Sequence, residues 1–330
     1  MPFTHFAMLF AVSLPQASAP TTPAADGLGA TPSRVDVTHS NLEFAVRHFG
    51  ITKIRGVFND WSATIMWNEA DVTKSTVAVV AKTASVDTRH ERRDADLRGE
   101  AFFDSGQFPA IVFLSRSIER QGEGYVLHAD LTVRGITRRV AVPFVFIGAQ
   151  DTPRGERLFA AGSFSILRTD YDLAQENRLA RSLAVVSDEV ELEFDLQAVP
   201  MDPAAAAFNS RQRPSIGEEM ARVAATGGIR AALERYEQLH ASSPDQYNFS
   251  EREVITLAHR LEAEGKADDA RAVADFMTAR EPAPSWHVLT ATLAARAGDR
   301  AQALTHLQAA LELDPFDTEA LAMTGLLRND

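Results

Sequence analysis

From Val35 to Leu196 apolar and polar residues alternate with a period of two. Leu42, Phe44 and Val46 stand between Asn41, Glu43 and Ala45. Ala63, Ile65 and Trp67 alternate with Ser62, Thr64 and Met66, and Val77, Val79 and Ala81 share one face of the run STVAVVA. Ile111 and Phe113 continue the series. Tyr125, Leu127, Ala129, Leu131 and Val133 oppose Val126, His128, Asp130 and Thr132. Val140, Val142, Phe144 and Phe146 follow, then Leu158, Ala160, Gly162, Phe164 and Ile166, and last EVELEFDL, where Val190, Leu192, Phe194 and Leu196 alternate with acids. A strand with one dry and one wet face produces this pattern. Turn residues punctuate the strands at Gly122, Gly124, Gly135, Gly148, Pro153 and Gly155. About eight strands without intervening helices predict an antiparallel sandwich or barrel, and closure into a barrel removes exposed edges.

Beyond Ala198 the texture changes. VPMDPAAAAFNSRQRPS reads as a linker over 199–214. Ala-rich helical patterns then repeat through 215–330. Gly265, Ala270 and Pro282 recur as Gly298, Ala303 and Pro315, each displaced by 33, and Gly227, Ala232 and Pro244 carry the same internal spacing. A glycine to turn, a small residue where paired helices cross and a proline to end the second helix resemble the tetratricopeptide repeat. GDRAQALTHLQAALELDP holds most of that motif, and a final helix is predicted over Thr318–Leu327.

Several strings in the first half occur in a specific order: VDVTHSNLEFAVRHFGITKIRGVF, SVDTRHERRDADLRGEAFFDSGQFPAIVFLS, LTVRGITRRVAVPF and ILRTDYDL. Together they resemble the YceI-like, polyisoprenoid-binding family over 33–198. The resemblance implies a lipocalin-like, eight-stranded antiparallel barrel, usually exported, holding a long isoprenoid or similar amphiphile in its lumen. Two positions depart from the family pattern: Asp96 stands where the family often has His, and Asp172 where it often has Gly. An eight-stranded barrel is either filled by its own side chains or holds one small ligand, and the resemblance favours the ligand. The dry faces then assign Phe44, Val46, Phe58, Ile65, Val79, Phe113, Leu131, Phe144, Phe164 and Leu192 to the lumen. These carry no charge, so an apolar chain enters without stranding an ion.

Composition narrows the function. The chain has 330 residues and a net charge of −12, and both halves are acidic, with 20 basic against 25 acidic residues up to Pro200. That argues against nucleic acid as a partner. The absence of Cys removes disulfides, thiolate zinc sites and thiol catalysis. Phe6–Leu14 is an apolar run too short to span a bilayer, and Ala17-Ser18-Ala19 follows it. Residues 1–32 therefore read as a signal peptide and flexible segment, which predicts a periplasmic or secreted protein without a transmembrane segment.

The charged string RRDADLR is the remaining candidate for chemistry. Asp87-Thr88 with Glu91 reads as the cap of a short helix running to Glu100. Asp94 and Arg98, four apart, are predicted to pair on it. Arg93, Asp94 and Arg98 would then clasp a lid or meet a ligand's headgroup at the barrel mouth. A catalytic alternative would use His90 and Asp94 with His39, His48 or His128 on a metal, or Ser40 beside His39 or His48. None of these has motif spacing, and no nucleophile elbow, P-loop or dinucleotide fingerprint occurs. The expectation is a non-catalytic carrier with no cofactor beyond a bound isoprenoid lipid or quinone, and with helical repeats that dock a protein or peptide. A scaffold with a filled barrel and a lipid-acting enzyme are the alternatives. Isoprenoid quinone, polyprenyl phosphate and fatty amide remain open as ligands.

Overall fold

The computed structural model describes residues 30–68, 70–152, 155–173, 186–200 and 213–329. The predicted signal peptide and most of the predicted linker lie outside the described residues. Eleven strands form one antiparallel sheet: β1 (Thr31–Val35), β2 (Asn41–His48), β3 (Thr52–Phe58), β4 (Trp61–Trp67), β5 (Thr76–Lys82), β6 (Val86–Asp87), β7 (Ala110–Gln121), β8 (Gly124–Val133), β9 (Ile136–Thr152), β10 (Gly155–Leu167) and β11 (Glu189–Pro200). Eight of them, in the order β1-β4-β5-β7-β8-β9-β10-β11, close into a ring because β11 pairs back onto β1. β11 is shared along its length. Its C-terminal part pairs with β1 through Ser33↔Pro200, and its N-terminal part pairs with β2 through Leu192↔Phe44. The ribbon β2-β3-β6 therefore branches from the ring.

This corrects the expected strand set. The barrel closes through β1, which begins at Thr31, inside the stretch read as a flexible N-terminal segment. Five residues with Pro32, Ser33 and Arg34 show no apolar alternation, so the pattern starting at Leu42 concealed the closing strand. β11 likewise runs two residues past the boundary placed at Ala198. The walls approach closely at Gly162, where a Cβ would lie 2.5 Å from the Pro143 carbonyl oxygen and 2.7 Å from Phe194.

Between β6 and β7 lies α1 (Glu91–Arg98). After the barrel come α2 (Ile216–Ser242), α3 (Glu251–Ala263), α4 (Ala267–Arg280), α5 (Pro284–Arg296), α6 (Arg300–Leu313) and α7 (Thr318–Asn329). α2 is broken at Gly228, whose φ of 77° divides it into a hairpin, so the turn falls one residue after the predicted Gly227. Gly265 (φ 77°) and Gly298 (φ 81°) turn the α3/α4 and α5/α6 hairpins. Left-handed backbone at these three turns is what glycine supplies without steric cost. Ala232, Ala270 and Ala303, predicted at the helix crossings, are fully buried.

The helices are fastened to the barrel through α7, which packs across the outer face of β4, β5 and β7. The Thr76 hydroxyl donates to the Ala322 carbonyl at 2.8 Å, Thr64 and Thr318 hydroxyls meet at 2.9 Å, and Lys82 Nζ sits 4.4 Å from the centre of the Phe316 ring. Met66 and Ala78 of the barrel share one apolar cluster with Ala291, Leu307, Met323 and Leu326 of the helices. Among the described residues no helix is long and apolar enough to cross a membrane.

Candidate functional site

Because side chains alternate across each strand, the inward half of every wall meets at the barrel axis. There it encloses a cavity of about 170 Å³. Nine of the ten residues assigned to the lumen line it: Phe44, Phe58, Ile65, Val79, Phe113, Leu131, Phe144, Phe164 and Leu192. Val46 does not. β2 pairs with β11 only from Asn41 to Ala45, so Val46 lies beyond the stretch of the branching ribbon that is held against the ring.

Trp61, Trp67, Val142, Phe146 and Phe194 also line the cavity. Most of them sit on the faces that alternation marks as dry. Trp61 opens β4 directly after Asp60, where no alternation precedes it, and that hid it. The rings are arranged in pairs: Trp67 and Phe146 have centroids 4.2 Å apart, Tyr125 and Phe144 5.5 Å, and Phe44 and Phe58 5.6 Å. Glu43 reaches the lining, but its carboxylate accepts from Arg55 Nη1 at 3.0 Å, on a pair with both side chains substantially exposed. The interior therefore presents hydrocarbon and aromatic surface.

One end of the barrel is plugged. Phe58, Val86, Phe103, Leu131, Val133, Tyr171 and Leu173 form a buried cluster there, with Phe44, Trp61, Leu97 and Phe113 against it. Phe103 meets Phe58 edge-on with centroids 5.6 Å apart. The four-residue turn that carries Tyr171 ends at Asp172, whose φ of 54° is left-handed. Aspartate tolerates this backbone better than most residues.

α1 lies beyond this plug, and its charged residues do not line the cavity. The predicted Asp94–Arg98 pair is not formed. Asp94, 7% exposed, accepts at Oδ1 from the Thr88 N–H at 2.8 Å and from the Thr88 hydroxyl. Arg93 closes the same clasp, with Nε donating to Thr88 Oγ1 and Nη2 to the Thr88 carbonyl, each at 2.7 Å. Arg98 Nη1 donates to the Val86 carbonyl at 3.4 Å. Helical spacing allowed the i,i+4 pair, but the chain folds back so that Thr88 offers Asp94 two donors at once. The helix cap is also different: His90 Nδ1, not Thr88, accepts from the Arg93 N–H at 3.3 Å, and the helix stops at Arg98 before Gly99. Asp96 is exposed.

Burial pushes the Asp94 carboxyl up, but the Thr88 hydrogen bonds, His90's backbone and the Arg93 charge outweigh it and hold it below the ordinary carboxylate range. A depressed carboxylate stabilises the fold above its unfolded-state pKa and loses that contribution as pH falls. Asp94→Ala leaves the Thr88 N–H and hydroxyl without their acceptor and removes the charge beside Arg93. It is expected to destabilise the barrel by about 1–3 kcal/mol without changing affinity for an apolar ligand. Chemical denaturation beside a ligand titration checks both halves.

The other candidates for chemistry are occupied in ways that hold the fold. Ser40 Oγ accepts from the Gln197 N–H at 2.9 Å, tying the start of β2 to β11. His39 Nδ1 meets Asp36 Oδ2 at 2.9 Å, and the His48 ring packs edge-on against Phe49. His128 stands on the wet face of β8, 3.8 Å from Glu119. Among the described residues no three His, Asp or Glu side chains come together as a metal site.

Known proteins resemble the barrel half. A family model described as YceI-like domain matches residues 34–198. A UPF0312 protein of Shewanella sp. (strain W3-18-1) is 32% identical over 163 residues, which are 49% of this chain and 82% of that protein. A UPF0312 protein of Yersinia enterocolitica is 31% identical over 162 residues, 49% of this chain and 81% of its own length. Among solved structures, Burkholderia cenocepacia BcnA aligns with a TM-score of 0.45 at 21% identity, over 50% of this chain and 99% of BcnA. A polyisoprenoid binding domain from Saccharophagus degradans, implicated in plant cell wall breakdown, aligns at 0.39 with 17% identity, over 52% of this chain and 99% of that one.

Proposed function

The chain belongs to the YceI-like family through residues 34–198, and from that premise we propose that its barrel is a non-catalytic carrier for the apolar tail of an isoprenoid or similar amphiphile. The observation that carries this reading is the cavity itself, about 170 Å³ walled by hydrocarbon and aromatic groups. A hollow of that kind stays dry and takes up apolar guests; an engineered cavity of about 150 Å³ accepts benzene. At about 0.8 kcal/mol per buried CH2, one five-carbon prenyl unit gains on the order of 3–4 kcal/mol before ordering costs. The space as it stands suits about one such unit by that comparison. A longer tail enters as half-buried rings such as Phe113, Phe144 and Phe146 rotate aside.

Two of the chain's three tryptophans, Trp61 and Trp67, stand in the cavity wall. A benzoquinone carrying two prenyl units is expected to quench them saturably at one equivalent per chain, whereas the same quinone without a tail is not. Replacement of the third, Trp286, by Phe isolates the barrel's signal. Failure of the tailed quinone to give a saturable change overturns the carrier reading.

The helical unit we read as tetratricopeptide-like and suited to a protein or peptide partner. Three glycine-turned hairpins with buried alanines at their crossings support that reading. The N-terminal sequence pattern supports a periplasmic or secreted location, with N-terminal sequencing of the mature chain as its check.

A further inference from the structure

The ribbon β2-β3 branches from the ring and ends in a turn that holds two large apolar side chains in water. Phe49 is 50% exposed and Ile51 82%. The His48 carbonyl accepts from the Ile51 N–H at 3.1 Å, and the two residues between, Phe49 (φ 50°) and Gly50 (φ 70°), are both left-handed. Hairpin turns of that hand are usually built from Asn-Gly or Asp-Gly, and a bulky residue at positive φ is strained. Phe49 therefore holds its place against local preference, and half of it remains in water. Its ring meets that of His48, with centroids 4.4 Å apart. Behind the turn, the outer face of the ribbon and of β11 carries both signs of charge. Arg47 and Lys53 both meet Glu191, and Arg55 meets Glu43 and Glu193.

We propose that this turn docks the protein on a lipid bilayer: Phe49 and Ile51 dip into the membrane surface while the charged collar behind them stays among the headgroups. Two side chains expose far less than the about 800 Å² per partner that a stable protein interface buries. A charged collar surrounds them, so a second copy of the chain or a protein partner finds too little to hold. A bilayer needs no matching shape. It takes up apolar groups at its interface, and zwitterionic headgroups meet a collar of both signs without stranding a charge. Attachment by so little apolar surface is no stronger than that of a single myristoyl chain, about 10⁴ M⁻¹, and is therefore reversible. The proposal goes beyond the carrier reading. It supplies the surface where a carrier meets its amphiphile, yet it holds or falls with no ligand in the barrel.

The chain has no Cys, so Ile51→Cys puts one polarity-sensitive thiol label on the turn. Val145→Cys puts the same label on the exposed outer wall of β9 as a control. With phosphatidylcholine vesicles the label at position 51 is expected to shift to the blue and that at position 145 to remain as in water. High salt is expected to leave the shift in place. Phe49→Asn, added to Ile51→Cys, is expected to lower the bound fraction about fivefold or more at equal lipid. Its melting temperature should be unchanged or higher, because asparagine suits the left-handed backbone. No shift at position 51, an equal shift at 145, or an undiminished shift with Phe49→Asn overturns the proposal. A shift confined to anionic vesicles and abolished by salt overturns it in favour of attachment by charge. A marked fall in the melting temperature of Phe49→Asn also overturns it, since the ring would then be packed within the protein. Quenching of Trp61 and Trp67 by the tailed quinone, without a vesicle-induced shift at position 51, would leave the carrier reading standing and this proposal refuted.

Discussion

Val79→Trp is expected to weaken binding of a prenylated quinone at least tenfold while the barrel remains folded. Val79 lies in the middle of β5, opposite Ala63 on β4 and Phe113 on β7, and its side chain lines the cavity. The indole would occupy the space that a prenyl unit needs. Tenfold corresponds to about 1.4 kcal/mol, less than half of the gross gain from burying one such unit, so the figure is a lower bound. Overpacking a filled core usually costs about 1–3 kcal/mol. Here the hollow absorbs the added volume, and the melting temperature should move little. Isothermal titration with circular dichroism as a folding control checks the result. Undiminished affinity in a folded variant would mean that the ligand binds elsewhere.

The second large effect concerns the seam between barrel and helices. α7 begins there, with Asp317 Oδ1 accepting from the Ala320 N–H at 2.7 Å. Burial, then the charge of Asp317, raises Glu319 to about 7, and Arg34 of β1 offsets only part of this. Asp317 is raised as well, chiefly by burial. A carboxyl whose folded pKa exceeds its ordinary 4.5 favours the fold while protonated. Its penalty is absent below about 4.5, grows as pH climbs towards 7 and is complete above it. The full span is on the order of 3 kcal/mol. Thermal stability is therefore expected to fall between pH 5 and pH 8. Glu319→Gln should remove most of that slope and raise the melting temperature at pH 8. Superimposable pH profiles for the parent and Glu319→Gln would show that the seam does not hold a protonated carboxyl. Asp94 does not confuse this window, since its lowered carboxyl titrates on the acid side.

Much of the barrel was legible because alternation is a direct imprint of a two-faced wall. EVELEFDL makes up the first eight residues of β11, and the dry faces of β4, β5 and β7–β10 are the ones that meet at the cavity. What escaped was set by contacts distant in sequence. β1 has too few residues and too little apolar content to announce itself, yet its pairing with β4 and β11 closes the ring. Asp94 turned from Arg98 to Thr88 because a chain reversal, invisible to helical spacing, brought better donors. One signal was present and carried more than period-two reading extracts. STVAVVA is nearly apolar at every position, which marks a strand covered on both faces. Val77, Val79 and Ala81 face the cavity, while Thr76 and Ala78 on the other side are buried beneath α7 and its neighbours. The helices and their glycine turns were readable from Gly and Ala spacing, but their attachment to the barrel was not, since it depends on a surface that only the closed sheet creates.

Organic extraction of the purified full-length protein, followed by mass spectrometry, is the most direct measurement. A stoichiometric prenyl or acyl species, absent from the Val79→Trp variant, is the expected result. An extract without such a species, from a protein that also fails to take up an added prenylated quinone, would contradict the reading of the barrel as a vessel for lipid.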